Sequence, residues 1–276
     1  MKFSEEVITS RNNPKVKWAA SLASKKGRDC ERAFIAEGEK LSYEAFDSSL
    51  PVTHVFICES KKEKLLEKIS KYNGIDLYKN TEVILLSDGA FEKISTENAP
   101  QGIITVIKYL DFFRDIDIIY KEEFFLGADE RAIILSSVRD PGNLGSVIRS
   151  AAAFGVDHVI LTSDCADLYN PKTVRSAMGS LFRVKVTRVA DMKECISHLR
   201  EIGRRVFSAE LSDGAKPISS IGLSTYDLVI IGNEGHGVDP MLSAASTGSV
   251  YIPISKKTES LNAAVAAAVF MWEQGK

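Results

Sequence analysis

Three segments in the second half of the chain place polar residues or glycines where a binding loop would have them. The first, SVRDPGNLGSVIR from Ser137 to Arg149, has a Pro-Gly turn and then the start of a helix near Asn143. Asn is a favourable residue at a helix N-cap. At about 100° per residue, the apolar side chains of this helix share one arc and Arg149 lies on the opposite arc. A guanidinium at that place can clamp a phosphate or remain a surface charge, and the helical geometry leaves both interpretations open.

The second segment, LVIIGNEGHG from Leu228 to Gly237, joins an apolar strand to a loop with three glycines in six residues. Glycines permit positive φ angles and close approach of a ligand to the backbone. Their spacing matches neither the dinucleotide-binding motif nor the phosphate-binding P-loop, so neither nucleotide site is predicted. A tight turn without a ligand would explain the glycines, but Glu234 in the middle of the loop is harder to explain by structure alone.

The third segment, YIPISKKTESLN from Tyr251 to Asn262, precedes a helix of small apolar residues that ends near Glu273. Because small side chains let another element approach closely, we expect this helix to be buried in the core or in a subunit interface. Ser260 and Asn262 are polar residues at its start. As structural interpretations, Ser260 caps the helix and Asn262 hydrogen-bonds to nearby backbone.

The three segments lie in a block of the chain in which strands and helices alternate. The predicted strands are residues 132–136, 156–161, 184–189, 205–209, 228–231 and 250–254. The predicted helices are residues 144–154, 173–182, 192–202 and about 261–273. This alternation predicts an α/β fold with a mainly parallel sheet, whose binding loops follow the carboxyl ends of the strands.

The first part of the chain predicts a smaller α/β unit. Its predicted strands are residues 33–36, 52–58, 83–86 and 103–107, and its predicted helices are residues 14–24 and 60–72. Between the two blocks, residues 111–130 carry seven acids and two bases among Phe and Ile residues, a composition too apolar for a free linker. We therefore predict a first domain at residues 1–110, a packed connector at 111–130 and a second domain at 131–276.

Charge is unevenly distributed although the net charge is only −2. Between Ser10 and Arg32 there are seven bases and two acids. A basic patch of this kind releases counterions when it meets a phosphate backbone, or it is simply a solvated helix face. The candidate RNA-binding residues of the patch are Arg11, Lys15, Lys17, Lys25, Lys26 and Arg28.

Cysteine spacing and hydropathy argue against several other classes of protein. The four cysteines are far apart, without a C-x-x-C pair, and the four histidines do not supply spaced partners, so no metal site is predicted. No apolar run reaches the roughly 18 residues of a membrane span. The first residues include acids where a signal peptide would be apolar. We therefore expect a soluble, cytoplasmic protein without a membrane segment.

In this order and spacing, the three segments resemble the motifs of the SpoU/TrmH family of RNA ribose methyltransferases, which belongs to the SPOUT class. The motif N-x-G-x-x-x-R is matched by Asn143, Gly145 and Arg149. The motif G-N-E-G-x-G is matched by Gly232, Asn233, Glu234, Gly235 and Gly237. The motif I-P-[MI] followed by S-L-N is matched by Ile252, Pro253, Ile254, Ser260, Leu261 and Asn262. Residues 8–17 and 34–38 also resemble the start of the family's RNA-binding extension, a small α/β sandwich.

The resemblance implies methyl transfer from S-adenosylmethionine to a ribose 2′-hydroxyl of structured RNA without a metal; the substrate is ribosomal or transfer RNA, with ribosomal RNA favoured. It also implies a C-terminal trefoil knot and a homodimer with active sites near the interface. Backbone at Gly232, Ile252 and Leu261 would hold the methyl donor. Arg149 would act on the hydroxyl, either as a base or by stabilising alkoxide charge; a guanidinium offers N–H donors and no acceptor, which favours the second role. The other candidate catalytic residues, which would shape the site, are Asn143, Glu234, Ser260 and Asn262.

Two other functions fit parts of the sequence. A non-catalytic RNA-binding protein could use a methyltransferase scaffold, although such a protein should have lost Arg149 or Asn262, and both are present. A nucleotide-binding α/β enzyme of another class would need a phosphate-binding loop or an ordered Ser–His–Asp or Cys–His arrangement, which the sequence does not have.

Overall fold

The computed structural model describes residues 1–110, 113–116, 126–127, 129–233, 235–255 and 257–276. The chain divides into two compact units. Unit 1 consists of Met1–Leu110 and Asp167–Phe182, and unit 2 consists of Asp111–Ala166 and Arg183–Lys276. Most of the predicted connector, and Glu234 of the second motif, lie outside the described residues.

Unit 1 is built on a mixed five-stranded sheet. Its strands are β1 (Lys2–Ile8), β2 (Ala33–Glu37), β3 (Val52–Cys58), β4 (Glu82–Leu86) and β5 (Ile103–Lys108), in the order β1-β4-β3-β5-β2. β4 runs parallel to β1 and β3, whereas β5 is antiparallel to β2 and β3. The four predicted strands are confirmed. β1 was not predicted because its sequence KFSEEVI alternates poorly and remains largely exposed.

Helices connect these strands and supply the rest of the core of unit 1. They are α1 (Pro14–Ser21), α2 (Lys25–Glu31), α3 (Glu39–Asp47), α4 (Lys62–Ser70) and α5 (Asp88–Glu92). α1 begins as predicted at Pro14, and the side chain of Asn13 caps it by accepting from Lys15 N. It ends three residues earlier than predicted. The chain then starts α2 behind a new cap, Ser24, whose side chain accepts from Gly27 N.

The later helices follow in chain order. They are α6 (Pro141–Ala153), α7 (Pro171–Ala177), α8 (Met192–Glu201), α9 (Pro240–Ala245) and α10 (Ala263–Gln274). α7 belongs to unit 1, and the other four belong to unit 2.

The segment Asp167–Phe182 fills a gap in the core of unit 1. Tyr169 is 1% exposed and stacks on Phe34 and Tyr109, with ring centroids 4.6 and 4.2 Å away. Its hydroxyl accepts a hydrogen bond of 2.9 Å from the backbone N–H of Leu110. The sequence predicted this stretch as part of the second domain, whereas its aromatic contacts make it part of unit 1.

Unit 2 has a parallel sheet. Its strands are β6 (Phe113–Ile116), β7 (Ala132–Leu135), β8 (His158–Thr162), β9 (Lys185–Val189), β10 (Val206–Ala209), β11 (Lys216–Pro217), β12 (Leu228–Ile231) and β13 (Gly248–Tyr251). Their order is β11-β13-β10-β12-β7-β8-β9-β6, and each of the neighbouring pairs is parallel. The mainly parallel α/β sheet that the alternation predicted is confirmed. The knotted path of the chain stays a prediction.

Several boundaries differ from the predicted ones for local reasons. α6 begins at Pro141 rather than near Asn143, because Asp140 is the N-cap and its side chain accepts from Asn143 N at 2.9 Å. The cap assigned to Asn143 was therefore wrong. β13 ends at Tyr251, two residues before Pro253, which has no N–H to donate to a sheet. Among the described helices, none has the length and apolar character that crossing a membrane requires.

Candidate functional site

The candidate site of unit 2 is a cavity at the carboxyl ends of β10, β12 and β13. Because these strands are parallel, the loops that follow them meet at one edge of the sheet. The cavity measures about 820 Å³, within the range of small-molecule sites. Its walls come from the ends of these strands, from residues 252–255 and 258–261, and from α10. Four of the candidate site residues line it: Gly232, Ile252, Ser260 and Leu261.

Gly232 has a steric reason to be glycine. A Cβ atom at this position would lie 2.1 Å from the carbonyl carbon of Gly237, closer than any side chain tolerates. The loop closes on itself through two backbone hydrogen bonds between Asn233 and Gly237, of 3.0 and 2.8 Å. Gly237 has φ = +69°, in the left-handed region. The tight turn is therefore real, and it also forms one wall of the cavity.

The backbone at Gly232, Ile252 and Leu261 is free to bind a ligand. Within the part of the chain that the structure describes, the N–H and C=O groups of these three residues form no main-chain hydrogen bond outside regular elements. All three are half-buried in the cavity wall. Since backbone polar groups that are shielded from water normally find a partner, these positions fit a ligand that is held by backbone.

The first and second motifs are joined at Ser137, which follows β7. Ser137 has φ = +57°, and its carbonyl oxygen accepts a hydrogen bond of 3.1 Å from Asn233 Nδ2. Its hydroxyl donates to Asp164 at 2.7 Å. Burial raises the pKa of Asp164, but hydrogen bonds from Thr162, Ser137 and Arg139 outweigh burial and lower the pKa to about 2. Asp164 is therefore ionised at neutral pH and holds the turn that carries the first motif.

The first and third motifs are joined by a hydrogen bond between two amides. Asn262 Nδ2 donates to Asn143 Oδ1 at 3.0 Å. Asn262 is also the N-cap of α10, because its Oδ1 accepts from the backbone N–H of Ala264 at 2.9 Å. The capping role considered for Ser260 was wrong, and Ser260 faces the cavity instead.

Arg149 stands apart from these residues. Its side chain is exposed on α6 and lines neither the cavity nor the neighbouring groove described below. Among the described residues, Arg149 has no hydrogen-bond or ion-pair partner. The structure therefore joins Asn143 to Asn262, places Ser260 in the cavity wall, and places Arg149 outside both the cavity and the groove.

A second concave surface of unit 2 lies between α6 and α10 and has a volume of about 570 Å³. We call it the α6–α10 groove. Its lining residues are Asn143, Ser146, Ser150, Phe154, Asn262, Ala264, Val265, Ala268, Val269 and Trp272. Val265 and Trp272 are 50% and 57% exposed. The small-residue helix α10 thus buries one face in the core and presents another apolar face to solvent.

The predicted basic patch of unit 1 is largely neutralised. The exposed pairs are Arg11 with Glu92, Lys15 with Glu82 and Lys25 with Asp29, at 2.8, 2.5 and 2.5 Å. The other two exposed lysines of the predicted set, Lys17 and Lys26, have no ion pair to a described residue.

Arg28 differs from the rest of the patch because it is 1% exposed. Its guanidinium pairs with Asp167 and donates to the carbonyl oxygens of Leu22 and Ala23 at 2.9 and 2.8 Å. Arg28 cannot reach RNA in this conformation, and its charge instead fastens the segment Asp167–Phe182 within unit 1.

The sequence analysis did not identify Glu210 as a site residue. It follows β10 directly and lines the cavity. An acid immediately after a predicted strand of a parallel sheet was the available signal, since that position faces the binding edge. Among the described residues, no group of three or more His, Cys, Asp or Glu side chains is placed to hold a metal ion.

Two family profiles cover most of the chain. Residues 130–272 match the SpoU rRNA Methylase family, and residues 13–105 match the MRM3-like substrate binding domain. The first match contains all three motifs and the cavity. The second corresponds to most of the N-terminal part of unit 1.

Individual proteins are similar over nearly the full length. The chain is 34% identical to the 23S rRNA (guanosine(2553)-2′-O)-methyltransferase RlmP of Bacillus subtilis, over 96% of this chain and 97% of that protein. It is 29% identical to a 23S rRNA (uridine(2479)-2′-O)-methyltransferase of Streptomyces viridochromogenes, over 96% and 90%. A crystal structure of an AdoMet-bound rRNA methyltransferase from Sinorhizobium meliloti superposes with a TM-score of 0.79 at 27% identity, over 98% and 97%.

The two roles of Asn262 can be separated by substitution. We expect Asn262→Ala to lower the free energy of unfolding by about 1 kcal/mol, because it removes the N-cap of α10. Asn262→Asp keeps an acceptor at the cap, so the free energy of unfolding should fall clearly less. This variant also removes the Nδ2–H that donates to Asn143. Urea denaturation of both variants, with Asn143→Ala as the control for the amide pair, measures the difference. Equal destabilisation by Ala and Asp would show that capping is not the stabilising contact.

Proposed function

Since the chain belongs to the SpoU rRNA methylase family, we propose that it transfers the methyl group of S-adenosylmethionine to a ribose 2′-hydroxyl of ribosomal RNA. The observation that carries the proposal is the cavity where the second and third motifs meet. Three of its wall residues, Gly232, Ile252 and Leu261, have backbone groups without a main-chain hydrogen bond to a described residue, at the positions expected to hold the donor. Both similar proteins named above are methyltransferases of 23S rRNA.

The donor fits the chemistry of the cavity. Apolar walls from Ile231, Val250 and Phe270 suit an adenine ring, and the unpaired backbone groups suit its polar edge. When bound, S-adenosylmethionine supplies an electrophilic methyl group on a sulfonium. The protein's part is to align that methyl group with the 2′-oxygen, and such positioning supplies much of the rate enhancement in reactions of this kind.

Arg149 is proposed to act on the RNA hydroxyl. Its guanidinium has no partner among the described residues, so it can engage the acceptor without breaking a contact. A guanidinium has a fork of N–H donors and no acceptor, so it is better suited to orient the hydroxyl and stabilise developing alkoxide charge than to act as a base. Asn143, Ser260 and Asn262 are proposed to shape the site around the two reactants, with Glu234.

A transfer assay tests the proposed activity. Purified protein would be given radiolabelled donor and either ribosomal or transfer RNA from cells that lack the gene, and the modified nucleotide would be located by its resistance to alkaline cleavage. Methyl incorporation into ribosomal RNA at a ribose supports the proposal. Tight RNA binding without incorporation into either RNA would favour a non-catalytic RNA-binding protein instead.

In the same assay, Arg149→Ala should lower the transfer rate by about 10²–10³, the usual cost of losing one electrostatic stabiliser. Donor affinity, measured by calorimetry, should stay within a few-fold because the donor is held elsewhere. Arg149→Lys should restore little of the transfer rate that Arg149→Ala loses, since an ammonium cannot reproduce the planar fork of the guanidinium. Arg183→Ala, which removes an exposed arginine outside the motifs, is the matched control. Near-normal transfer by Arg149→Ala at saturating RNA would place the catalytic centre elsewhere.

Unit 1 is proposed to bind the RNA. It contains the region that matches a substrate binding domain, and Lys17 and Lys26 are exposed and have no ion pair to a described residue. Arg11, Lys15 and Lys25 could contribute by exchanging their exposed acidic partners for phosphates, because exposed ion pairs are worth only about 0–1 kcal/mol. Arg28 is left out because it is buried.

The double substitution of Lys17 and Lys26 by Ala should weaken RNA binding and reduce the slope of log affinity against log salt by about 1–2, one counterion for each phosphate contact. Filter binding at several salt concentrations measures this slope. Lys193→Ala, on α8 of unit 2, serves as the control. An unchanged slope in the double variant would mean that this part of the patch is a solvated helix face.

The α6–α10 groove is proposed to be the face of a homodimer. An apolar strip with Val265 and Trp272 half-exposed is unusual on a monomer surface and suits a self-complementary contact.

A ribosomal substrate would place the protein in the cytoplasm.

Val265→Asp should therefore convert a dimer into a monomer, because it puts a charge into the apolar strip. Light scattering after size-exclusion chromatography measures the mass. Ile202→Asp, at a residue of matching exposure (49%) on α8, should leave the dimer intact. A wild-type protein that is monomeric at micromolar concentration would contradict the proposed dimer.

A further inference from the structure

The side chain of Glu210 is fixed within the wall of the cavity. One carboxylate oxygen, Oε1, accepts hydrogen bonds from Ser249 Oγ at 2.8 Å and from Ser243 Oγ at 2.5 Å, and a longer one from Ser212 Oγ at 3.4 Å. The backbone N–H of Glu210 donates to Val250 O at 3.0 Å. These contacts hold the carboxylate between α9, β13 and the loop after β10.

The second oxygen of this carboxylate has no such partner. Among the described residues, none donates a hydrogen bond to Glu210 Oε2. A structural cross-link between α9 and β13 would explain the contacts of Oε1, and it leaves Oε2 available to another molecule. An oriented carboxylate with one oxygen satisfied and the other free has the form of a ligand-binding group.

The charge of the cavity favours a cationic ligand. The described residues that line it include no Lys or Arg; Glu210 is half-buried there, whereas the other carboxylate, that of Glu259, is exposed and screened by solvent. S-adenosylmethionine carries a sulfonium and an α-ammonium against one carboxylate, so its net charge is positive. Its ribose hydroxyls and its ammonium are the groups that can donate a hydrogen bond to a carboxylate.

We propose that Glu210 is a donor-binding residue, whose Oε2 accepts a hydrogen bond from S-adenosylmethionine. This inference rests on the proposed function, since it assumes that the cavity is the donor site. The chemistry is a carboxylate that accepts from a ribose hydroxyl or from the α-ammonium. A carboxylate at a strand end plays the first role in dinucleotide-binding folds. The three serine hydroxyls hold the carboxylate in place, so little side-chain freedom is lost when the donor binds.

Calorimetry with S-adenosylhomocysteine on the full-length protein tests the proposal without relying on catalysis. Glu210→Gln keeps an oxygen that can accept from the serines but replaces the second oxygen by an NH₂ group, which cannot accept. Losing a hydrogen bond to a charged group should weaken S-adenosylhomocysteine about 10-fold or more. Thermal denaturation of the variant checks that the fold is retained.

Two further arms make the result specific. Glu259→Gln removes the other carboxylate of the cavity and should leave the affinity within about 2-fold, because this side chain is exposed and screened. Adenosine has the ribose but not the ammonium. If Glu210→Gln weakens adenosine as much as S-adenosylhomocysteine, the ribose is the partner, and if adenosine is unaffected, the ammonium is the partner.

The outcomes separate this inference from the proposed function. Absence of S-adenosylhomocysteine binding by the wild-type protein would overturn the proposed function itself. Wild-type binding that Glu210→Gln leaves unchanged, or that Glu259→Gln weakens equally, would overturn the role of Glu210 alone. If Glu210→Gln does not fold, Glu210→Asp is measured instead. This variant keeps the charge and shortens the side chain by one methylene. Weaker binding of S-adenosylhomocysteine supports the proposal, and unchanged binding overturns it.

Discussion

The close approach of two backbone segments at Gly232 and Gly237 is the constraint on which the candidate site depends. With no side chain at position 232, the carbonyl of Gly237 comes within a distance that any Cβ would block. The loop can then fold back on itself, and the backbone of Gly232, at the end of β12, has no main-chain hydrogen bond to a described residue. Asn233 uses the same turn to reach the carbonyl of Ser137. One steric condition therefore shapes the cavity wall and also links the loop to the segment that carries Arg149.

Amides connect the separate motifs where charges would be costly. Asn233 bonds Ser137, and Asn262 bonds Asn143, so residues distant in sequence are held by neutral groups that both donate and accept. A carboxylate at either place could not donate, and an ammonium could not accept. Two carboxylates of unit 2 have other places. Asp164 holds the turn of the first motif through Ser137, and Glu210 lies in the cavity wall directly after β10.

Local sequence patterns were sufficient to predict the positions of most of the strands. They did not predict where every helix begins or ends, or which charged side chains form ion pairs. The buried runs at β7 and β12 are continuous apolar stretches, so their positions followed from hydropathy. The start of α6 could not be decided in this way, because both Asp140 and Asn143 are good caps and the choice depends on the turn at Pro141. Counting charges indicated a basic patch between Ser10 and Arg32. It could not show that Glu82 and Glu92, far along the chain, neutralise part of it.

The segment Asp167–Phe182 sets a limit on how the protein can fold while it is being synthesised. Domains generally fold as units, N-terminal first, as the chain emerges from the ribosome. Here the aromatic stack of Phe34, Tyr109 and Tyr169 cannot form, and the guanidinium of Arg28 cannot meet Asp167, until the first strands of the following sheet have also been made. The core of unit 1 therefore stays incomplete until β7 and β8 have been translated. Its completion is tied to the early assembly of unit 2, and the two units mature together rather than one after the other.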